Sequence, residues 1–178
     1  LTGENELIWY QEDSYDYGDE GKWTNYNVET YVREGSEEAE NPDKYRYFNT
    51  VTVSDAKELL DAISSNTMII LKEGEYNFTS VKGGTTNRNV FTEVDKFSDE
   101  LSTLNVQIRN VNDLYIKAEP GVKAELCIED PNSPVLSLYE CNRVKLEGLT
   151  CGHRVEPGYC AGSVIYEYQS YQTTISSC

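Results

Sequence analysis

The sequence predicts an all-β fold, a parallel β-solenoid in which one structural unit repeats every 29 or 30 residues. The pattern of residues 135–146 returns at 164–175, and residues 106–116 match 136–146. Within each unit, apolar and polar residues alternate over short runs, as they do in half-buried strands. A unit of this size cannot bury its apolar face alone, so neighbouring units must stack. The aligned positions are Val106, Ile108, Val111, Leu114 and Ile116; Leu136, Leu138, Cys141, Val144 and Leu146; and Ile165, Glu167, Ser170, Thr173 and Ile175.

A formal net charge of −16, from 15 basic and 31 acidic residues, limits the partners of this chain. Such a surface repels the phosphate backbone, so we expect no nucleic-acid binding. No apolar run approaches the roughly 20 residues that a membrane-spanning helix needs, so we expect no membrane span. We expect no cofactor and no dedicated metal site, although calcium (Ca2+) is conceivable because carboxylate oxygens are its usual ligands.

Residues 1–46 form an acidic N-terminal segment that differs in character from the rest of the chain. Acidity favours disorder, but this segment holds both tryptophans, Trp9 and Trp23, and several tyrosines. We therefore expect it to pack its rings on the end or flank of the solenoid, since buried rings stabilise far more than exposed ones. A sugar-binding surface is the functional alternative.

The solenoid is expected over residues 47–178. A short strand at 50–53 precedes a helix at about 55–64, where Asp55 and Glu58 have the spacing of a capping box. The apolar residues of this helix lie on one face, so the helix is expected to cap the open end of the apolar column. Residues of about 80–103 are polar and lack the repeat, which indicates an insertion projecting from one corner.

The end of the chain and its cysteines give two further expectations. Cys178 occupies the repeat position of Leu149, so the last coil is incomplete, and we expect missing C-terminal coils or a partner chain to close it. The chain begins with Leu1, as a processed form would. Cys141 aligns with Val111 and Ser170, which favours a small buried corner residue. A disulfide between Cys151 and Cys160 is the alternative left open.

Residues 51–63 and 69–76 resemble the opening coil of pectate-lyase-like right-handed parallel β-helix proteins, in which a cap helix precedes a strand and a Gly-x-Tyr turn. Residues 114–121 resemble the strand and turn that follow. The resemblance covers residues 51–178 and implies a right-handed parallel β-helix of about five coils, as in many bacterial surface and secreted proteins. It also implies a glycan as partner, because that superfamily includes polysaccharide lyases, glycoside hydrolases and surface binding modules.

The loop of residues 151–162 is the most site-like part of the sequence. Histidine is a common general acid or base in enzymes, so His153 could take that role, with Glu156 orienting it. Arg143 is the third candidate catalytic residue. The candidate binding residues beside them are Tyr139, Arg154, Tyr159 and Glu167. The structural alternative, which we favour, is that His153 simply donates a hydrogen bond to a backbone group at a corner.

Glu167 stands out because the 29-residue shift places it at the inward position of Leu138. A buried carboxylate is costly unless it is paired. A one-residue slip of the strand would turn Glu167 outward and Tyr166 and Tyr168 inward, and we favour that slip.

These observations favour a carbohydrate-associated binding or structural module that is extracellular or on the cell surface. The alternative is a polysaccharide lyase or glycoside hydrolase acting in a groove of the β-helix. Gly152-His153 is followed by Arg154, so the Gly-His-Gly segment of such hydrolases is absent. A binding role is therefore preferred over an enzymatic one.

Overall fold

A computed structural model of the chain describes residues 6–16, 22–32, 46–47, 49–81, 84–96, 102–155 and 160–178. The chain divides into two compact units between Arg46 and Tyr47. The first unit contains an antiparallel hairpin of β1 (Glu6–Asp16) and β2 (Lys22–Val32). The predicted packing of the rings in this segment concerns side chains outside the described part of the structure.

The second unit is mostly β, as predicted, and its strands form three largely parallel sheets. The sheet orders are β14-β11-β8-β4-β3, β13-β10-β7-β6 and β12-β9-β5. Every described pair in these sheets is parallel except that of β6 with β7. The strands are β3 (Asn49–Val53), β4 (Thr67–Leu71), β5 (Gly74–Asn77), β6 (Val90–Lys96), β7 (Ser102–Arg109), β8 (Asn112–Ala118), β9 (Ala124–Ile128), β10 (Leu136–Tyr139), β11 (Asn142–Glu147), β12 (Leu149–His153), β13 (Ile165–Tyr168) and β14 (Thr174–Ser176).

The repeat found in the sequence is the register of these parallel strands. Leu138 on β10 pairs with Ile108 on β7, and Leu146 on β11 pairs with Ile116 on β8. Successive side chains of a strand point to opposite faces, so residues that share a repeat position stack in columns. Every second residue of these strands therefore contributes to the same apolar interior.

The core lies between the three sheets. Leu114, Leu126 and Leu138 come from one sheet each, and all three are fully buried. Tyr76 is also fully buried, and its hydroxyl group donates to the carbonyl oxygens of Val53, at 2.8 Å, and Lys72, at 3.1 Å. Burial raises the pKa of Tyr76 to about 12, so this phenol remains a neutral hydrogen-bond donor inside the core.

The predicted helix is present as α1 (Ala56–Ala62), and its start follows from local hydrogen bonds. The Asp55 carboxylate accepts from the backbone N–H of Glu58 at 2.8 Å, as an N-cap residue should. The Glu58 carboxylate accepts in return from the backbone N–H of Ser54 at 2.8 Å. The buried face of α1, including Leu59 and Leu60, joins the core. Across the described residues, no helix is long and apolar enough to span a membrane.

The polar segment predicted as an insertion contains regular structure that was not predicted. A 3-10 helix (Phe78–Val81) follows β5, and β6 runs antiparallel to β7 with Val90 opposite Ile108. Between them, the Asn87 side-chain amide donates to the carbonyl oxygens of Leu60, at 2.7 Å, and Ile63, at 2.8 Å. Asn87 thus satisfies carbonyl groups that the end of α1 leaves without partners.

Left-handed backbone conformations recur at one corner of the repeat. Asn66, Asp113, Arg143 and Gln172 all have φ between 54° and 57°. Each lies just before a strand of the five-stranded sheet or at its beginning, at the same repeat position. Asparagine and aspartate tolerate this conformation best among non-glycine residues, and at Arg143 and Gln172 the fold must supply the stabilisation.

Candidate functional site

Exposed aromatic side chains gather on the outer face of the four-stranded sheet. Arg109, Tyr139 and Tyr168 lie side by side in the register of β7, β10 and β13. Tyr166 lies two residues before Tyr168, and Phe91 on β6 is opposite Gln107 on β7. Their neighbours Ile108 and Leu138 point into the core, so these side chains point outward. The aromatic face is defined here as Phe91, Arg109, Tyr139, Tyr166 and Tyr168.

Arg109 occupies the centre of the aromatic face. The central carbon of its guanidinium lies 4.4 Å from the ring centroid of Phe91 and 5.5 Å from that of Tyr139. A guanidinium at such distances is attracted to the negative faces of both rings. Its Nε donates to Oε1 of Gln107 at 2.7 Å, and its Nη2 donates to the same oxygen. The backbone N–H of Arg109 donates to the carbonyl oxygen of Asn89 at 2.8 Å. This hydrogen bond joins β7 to the residue just before β6.

The tyrosines extend the aromatic face across the sheet. The ring centroid of Tyr139 lies 5.9 Å from that of Tyr166 and 5.5 Å from that of Tyr168, with tilted planes. Phe91, Tyr166 and Tyr168 are 46%, 42% and 47% exposed, which is high for rings that belong to ordered strands. Each ring therefore contacts a neighbour in the aromatic face and is still nearly half exposed to solvent.

The favoured one-residue slip of β13 is wrong. Leu138 pairs with Glu167, and Tyr166 and Tyr168 lie on the outer face rather than inside. Glu167 keeps the inward repeat position but is exposed, because β13 is the edge strand of its sheet. A solvated carboxylate needs no buried partner, so the physical reason for expecting a slip does not apply.

His153 lies at the end of β12, where its Nε2 donates to the backbone carbonyl of Ser133 at 2.8 Å. This is the structural alternative considered for His153. Gly162 packs tightly against both groups, since a Cβ added to it would lie 2.2 Å from the Ser133 oxygen and 2.7 Å from His153 Nε2. Glu156, predicted to orient His153, and Tyr159, a candidate binding residue, lie outside the described residues.

Arg143 is committed to a different partner. Its Nε and Nη2 donate to the two carboxylate oxygens of Asp113 at 2.7 and 2.6 Å, and the pair is largely buried. The hydrogen bond to Asp113 raises the pKa of Arg143, so this cation stays charged. Arg143 lies on the five-stranded sheet and His153 on the three-stranded sheet. In the described part of the chain, no hydrogen bond or ion pair joins these two candidate catalytic residues.

Arg154, a candidate binding residue, belongs to an ion-pair cluster that the sequence analysis did not predict. Its Nη2 lies 2.9 Å from a carboxylate oxygen of Glu75 and 2.9 Å from one of Glu125. These two glutamates are register partners on β5 and β9. The cluster covers Cys127, whose thiol pKa is raised to about 11 by burial and by the charge of Glu75. Since the guanidinium bridges the two carboxylates, this arrangement stabilises neighbouring repeats and leaves no open nucleophile.

The sequence analysis did not predict the pairing of Glu75 with Glu125, because the insertion between them interrupts the repeat. Arg109 and Phe91 were missed for a related reason, since Phe91 lies inside that insertion. The repeat itself did carry a signal for the aromatic face, because it aligns Arg109, Tyr139 and Tyr168 on an outward position.

The five cysteines are all free thiols, so Cys151 and Cys160 are not joined. Cys141 is buried at its corner, as predicted, and its backbone N–H is satisfied by the Ser170 hydroxyl at 3.1 Å. Throughout the described ranges, no group of three or more His, Cys, Asp or Glu side chains is placed to hold a metal ion.

A cleft of about 340 Å³ lies beside the start of α1, lined by Asp55, Lys57, Ser80 and Gly84 among others. Its cation is already paired, because the Lys57 ammonium lies 2.5 Å from the Asp61 carboxylate. The aromatic face is therefore the stronger candidate for recognition. In comparisons with protein-family models, curated proteins and solved structures, nothing matches this chain.

Proposed function

We propose that the second unit is a right-handed parallel β-helix of about five coils, with α1 capping one end. Five parallel strands in the largest sheet support this number of coils. The repeated left-handed corner and the columns of inward aliphatic residues support a stacked solenoid. A fold of this kind presents its outer faces as rigid surfaces, because each strand is hydrogen-bonded on both sides except at the edges.

We infer that the aromatic face binds a carbohydrate chain and that the protein is a carbohydrate-associated binding module, secreted or on the cell surface. The observation that carries this inference is the row of half-exposed rings around an arginine on a regular sheet. Sugar rings present C–H groups that stack on the negative face of an aromatic ring, while their hydroxyl groups bind polar neighbours. Neighbouring strands are about 4.8 Å apart, so successive rings form a continuous ridge.

Binding is favoured over catalysis because two of the three candidate catalytic residues, His153 and Arg143, are engaged elsewhere. His153 donates to a backbone oxygen, and Arg143 is held by a buried carboxylate. A lyase or hydrolase needs a base and a stabilising cation on the same substrate atom or its neighbour. The alternative, a polysaccharide lyase or glycoside hydrolase, is one of the outcomes that the binding experiment below can reveal.

The test is glycan binding by the full chain to a panel of acidic and neutral oligosaccharides, with and without calcium, measured by calorimetry. We expect Tyr168→Ala to weaken binding about threefold to tenfold, the loss of one ring-stacking contact. Tyr171→Ala is the matched control, since Tyr171 is 67% exposed but lies outside the aromatic face.

Equal losses from Tyr168→Ala and Tyr171→Ala, or no binding across the panel by folded protein, would contradict the proposal. Release of unsaturated or reducing-end products, abolished by His153→Ala, would instead establish the lyase or hydrolase alternative. A requirement for calcium in either assay would assign the ion a role that the proposal does not include.

A further inference from the structure

Gln107 lies two residues before Arg109 on β7, on the same outward side of the strand, and its side chain is bound to the guanidinium. It is 4% exposed and lies opposite Phe91 and beside Ser137, which is fully buried. Its Oε1 accepts two hydrogen bonds from the guanidinium, at Nε and Nη2. Because Gln107 is covered, it cannot itself contact a large ligand, and any effect it has on binding must act through Arg109.

The amide that binds Arg109 contrasts with the carboxylates that bind three other cations on or beside the sheets. Arg143 is bound by the carboxylate of Asp113, Lys145 by that of Glu147, and Arg154 by those of Glu75 and Glu125. Those carboxylates orient the cation and also neutralise it. An amide oxygen accepts the same N–H groups with no formal charge, so it orients the guanidinium and leaves the positive charge in place.

The charge on Arg109 is not neutralised by any other group that the structure describes. No carboxylate among the described residues lies within ion-pair distance of it, although acidic residues outnumber basic ones by 31 to 15 in the chain. The flanking rings of Phe91 and Tyr139 are neutral and hold the guanidinium by their faces. In an acidic protein, the aromatic face thus holds a partly exposed, oriented cation at its centre.

We propose that Gln107 is a positioning and specificity-determining residue, which holds Arg109 as an unneutralised cation so that the aromatic face prefers ligands carrying an anionic group. This inference rests on the proposed carbohydrate binding and adds the chemistry that the ligand must present. A carboxylate or a sulfate can each accept the N–H groups that Gln107 leaves free on the guanidinium. The rings bind the sugar, and Arg109 selects among sugars by charge.

The experiment compares two matched probes, an oligosaccharide of uronic acids and the same oligosaccharide with its carboxyl groups reduced to alcohols. A sulfated form of the reduced oligosaccharide distinguishes a general anion preference from a carboxylate preference. We expect the wild-type chain to bind the acidic probe more tightly, with a preference that falls as the salt concentration rises.

Gln107→Glu keeps the shape and both hydrogen bonds but neutralises Arg109. We expect it to lower the preference for the acidic probe about tenfold, the worth of one charge-assisted hydrogen bond, and to leave the reduced probe unaffected. Arg109→Gln should also remove the preference for the acidic probe, because it removes the cation itself. Arg109→Lys should retain a salt-dependent preference, because it keeps the charge and loses only the planar fork.

The inference is overturned if Gln107→Glu retains the full preference, or if wild-type protein binds both probes equally. In that second case, a loss of both affinities in Tyr168→Ala would leave the proposed carbohydrate binding intact. Absence of binding to every probe by folded protein would overturn the proposed function together with this inference.

Discussion

Single residues in this protein are fixed by the corner geometry of the repeat. Eight non-glycine residues among those the structure describes adopt a positive φ, and they include Asp113 and Arg143, which are bound to each other. A left-handed conformation costs roughly 1–2 kcal/mol for a residue with a Cβ. The largely buried ion pair between Asp113 and Arg143 offsets part of that cost at two successive corners. The same two residues therefore adopt the left-handed conformation and stabilise it.

Among the glycines that the structure describes, Gly162 is the one where an added methyl group would make the closest contacts. A Cβ there would lie 2.2 Å from the Ser133 carbonyl oxygen, which is backbone and cannot move away freely. We expect Gly162→Ala to lower the free energy of unfolding by about 1–3 kcal/mol, as overpacking does. Chemical denaturation followed by circular dichroism measures this change.

The matched control is Gly152→Ala, since a Cβ at Gly152 would meet no atom within 4 Å. It should leave the free energy of unfolding within about 0.5 kcal/mol of the wild-type value. Comparable losses in the two variants would show that the contact of Gly162 with Ser133 and His153 is not the cause.

At the scale of elements, α1 depends on a residue far from it in sequence. Asn87 donates to two carbonyl groups at the end of the helix, and its own side-chain oxygen accepts from the backbone N–H of Asn89 at 3.0 Å. Asn87 therefore links the end of α1 to the residues that precede β6.

Asn87→Ala should destabilise the second unit by about 2 kcal/mol, because two hydrogen bonds to α1 are lost at about 1 kcal/mol each. The neighbouring Arg88 is exposed, and Arg88→Ala serves as the control with little expected change. Thermal denaturation of both variants gives the comparison. A loss at Arg88 equal to that at Asn87 would contradict the capping role.

The elements that belong to the repeat could be predicted from the sequence, and the elements outside the repeat could not. The columns through Leu138 and Leu146 are visible as spacing alone, since parallel pairing keeps one register. The hairpin of β1 and β2 was hidden by its acidic composition, and β6 pairs antiparallel inside a segment without the repeat. Tyr139 was predicted at the binding surface, but Arg109, which contacts its ring, follows the segment without the repeat, and Phe91, which contacts Arg109, lies inside that segment.

On the scale of the whole molecule, stability should depend on position along the stack of repeats. Leu146 and Ile175 are register partners on β11 and β14, yet Leu146 is fully buried and Ile175 is 50% exposed. The apolar column thus has a well-packed middle and a solvated edge. Truncating an aliphatic side chain to alanine should therefore lower the free energy of unfolding by very different amounts at equivalent positions of the repeat.

Leu146→Ala should lower the free energy of unfolding by about 2–5 kcal/mol, because it removes buried methyl groups and leaves a cavity. Ile175→Ala should cost well under half as much, since its side chain is already half in water. Equal losses in urea denaturation would mean that the edge strand is as well packed as the middle, contrary to the exposure of Ile175.

The distribution of tryptophan gives the two units separate optical signals. Trp9 lies on β1 and Trp23 on β2, and these are the two tryptophans of the chain, so the second unit has none. Selectively excited indole fluorescence therefore reports on the hairpin unit alone, whereas the far-ultraviolet signal is dominated by the parallel sheets. Superimposable melting curves from these two signals would mean that the hairpin and the sheets unfold as one cooperative system, without any label being introduced.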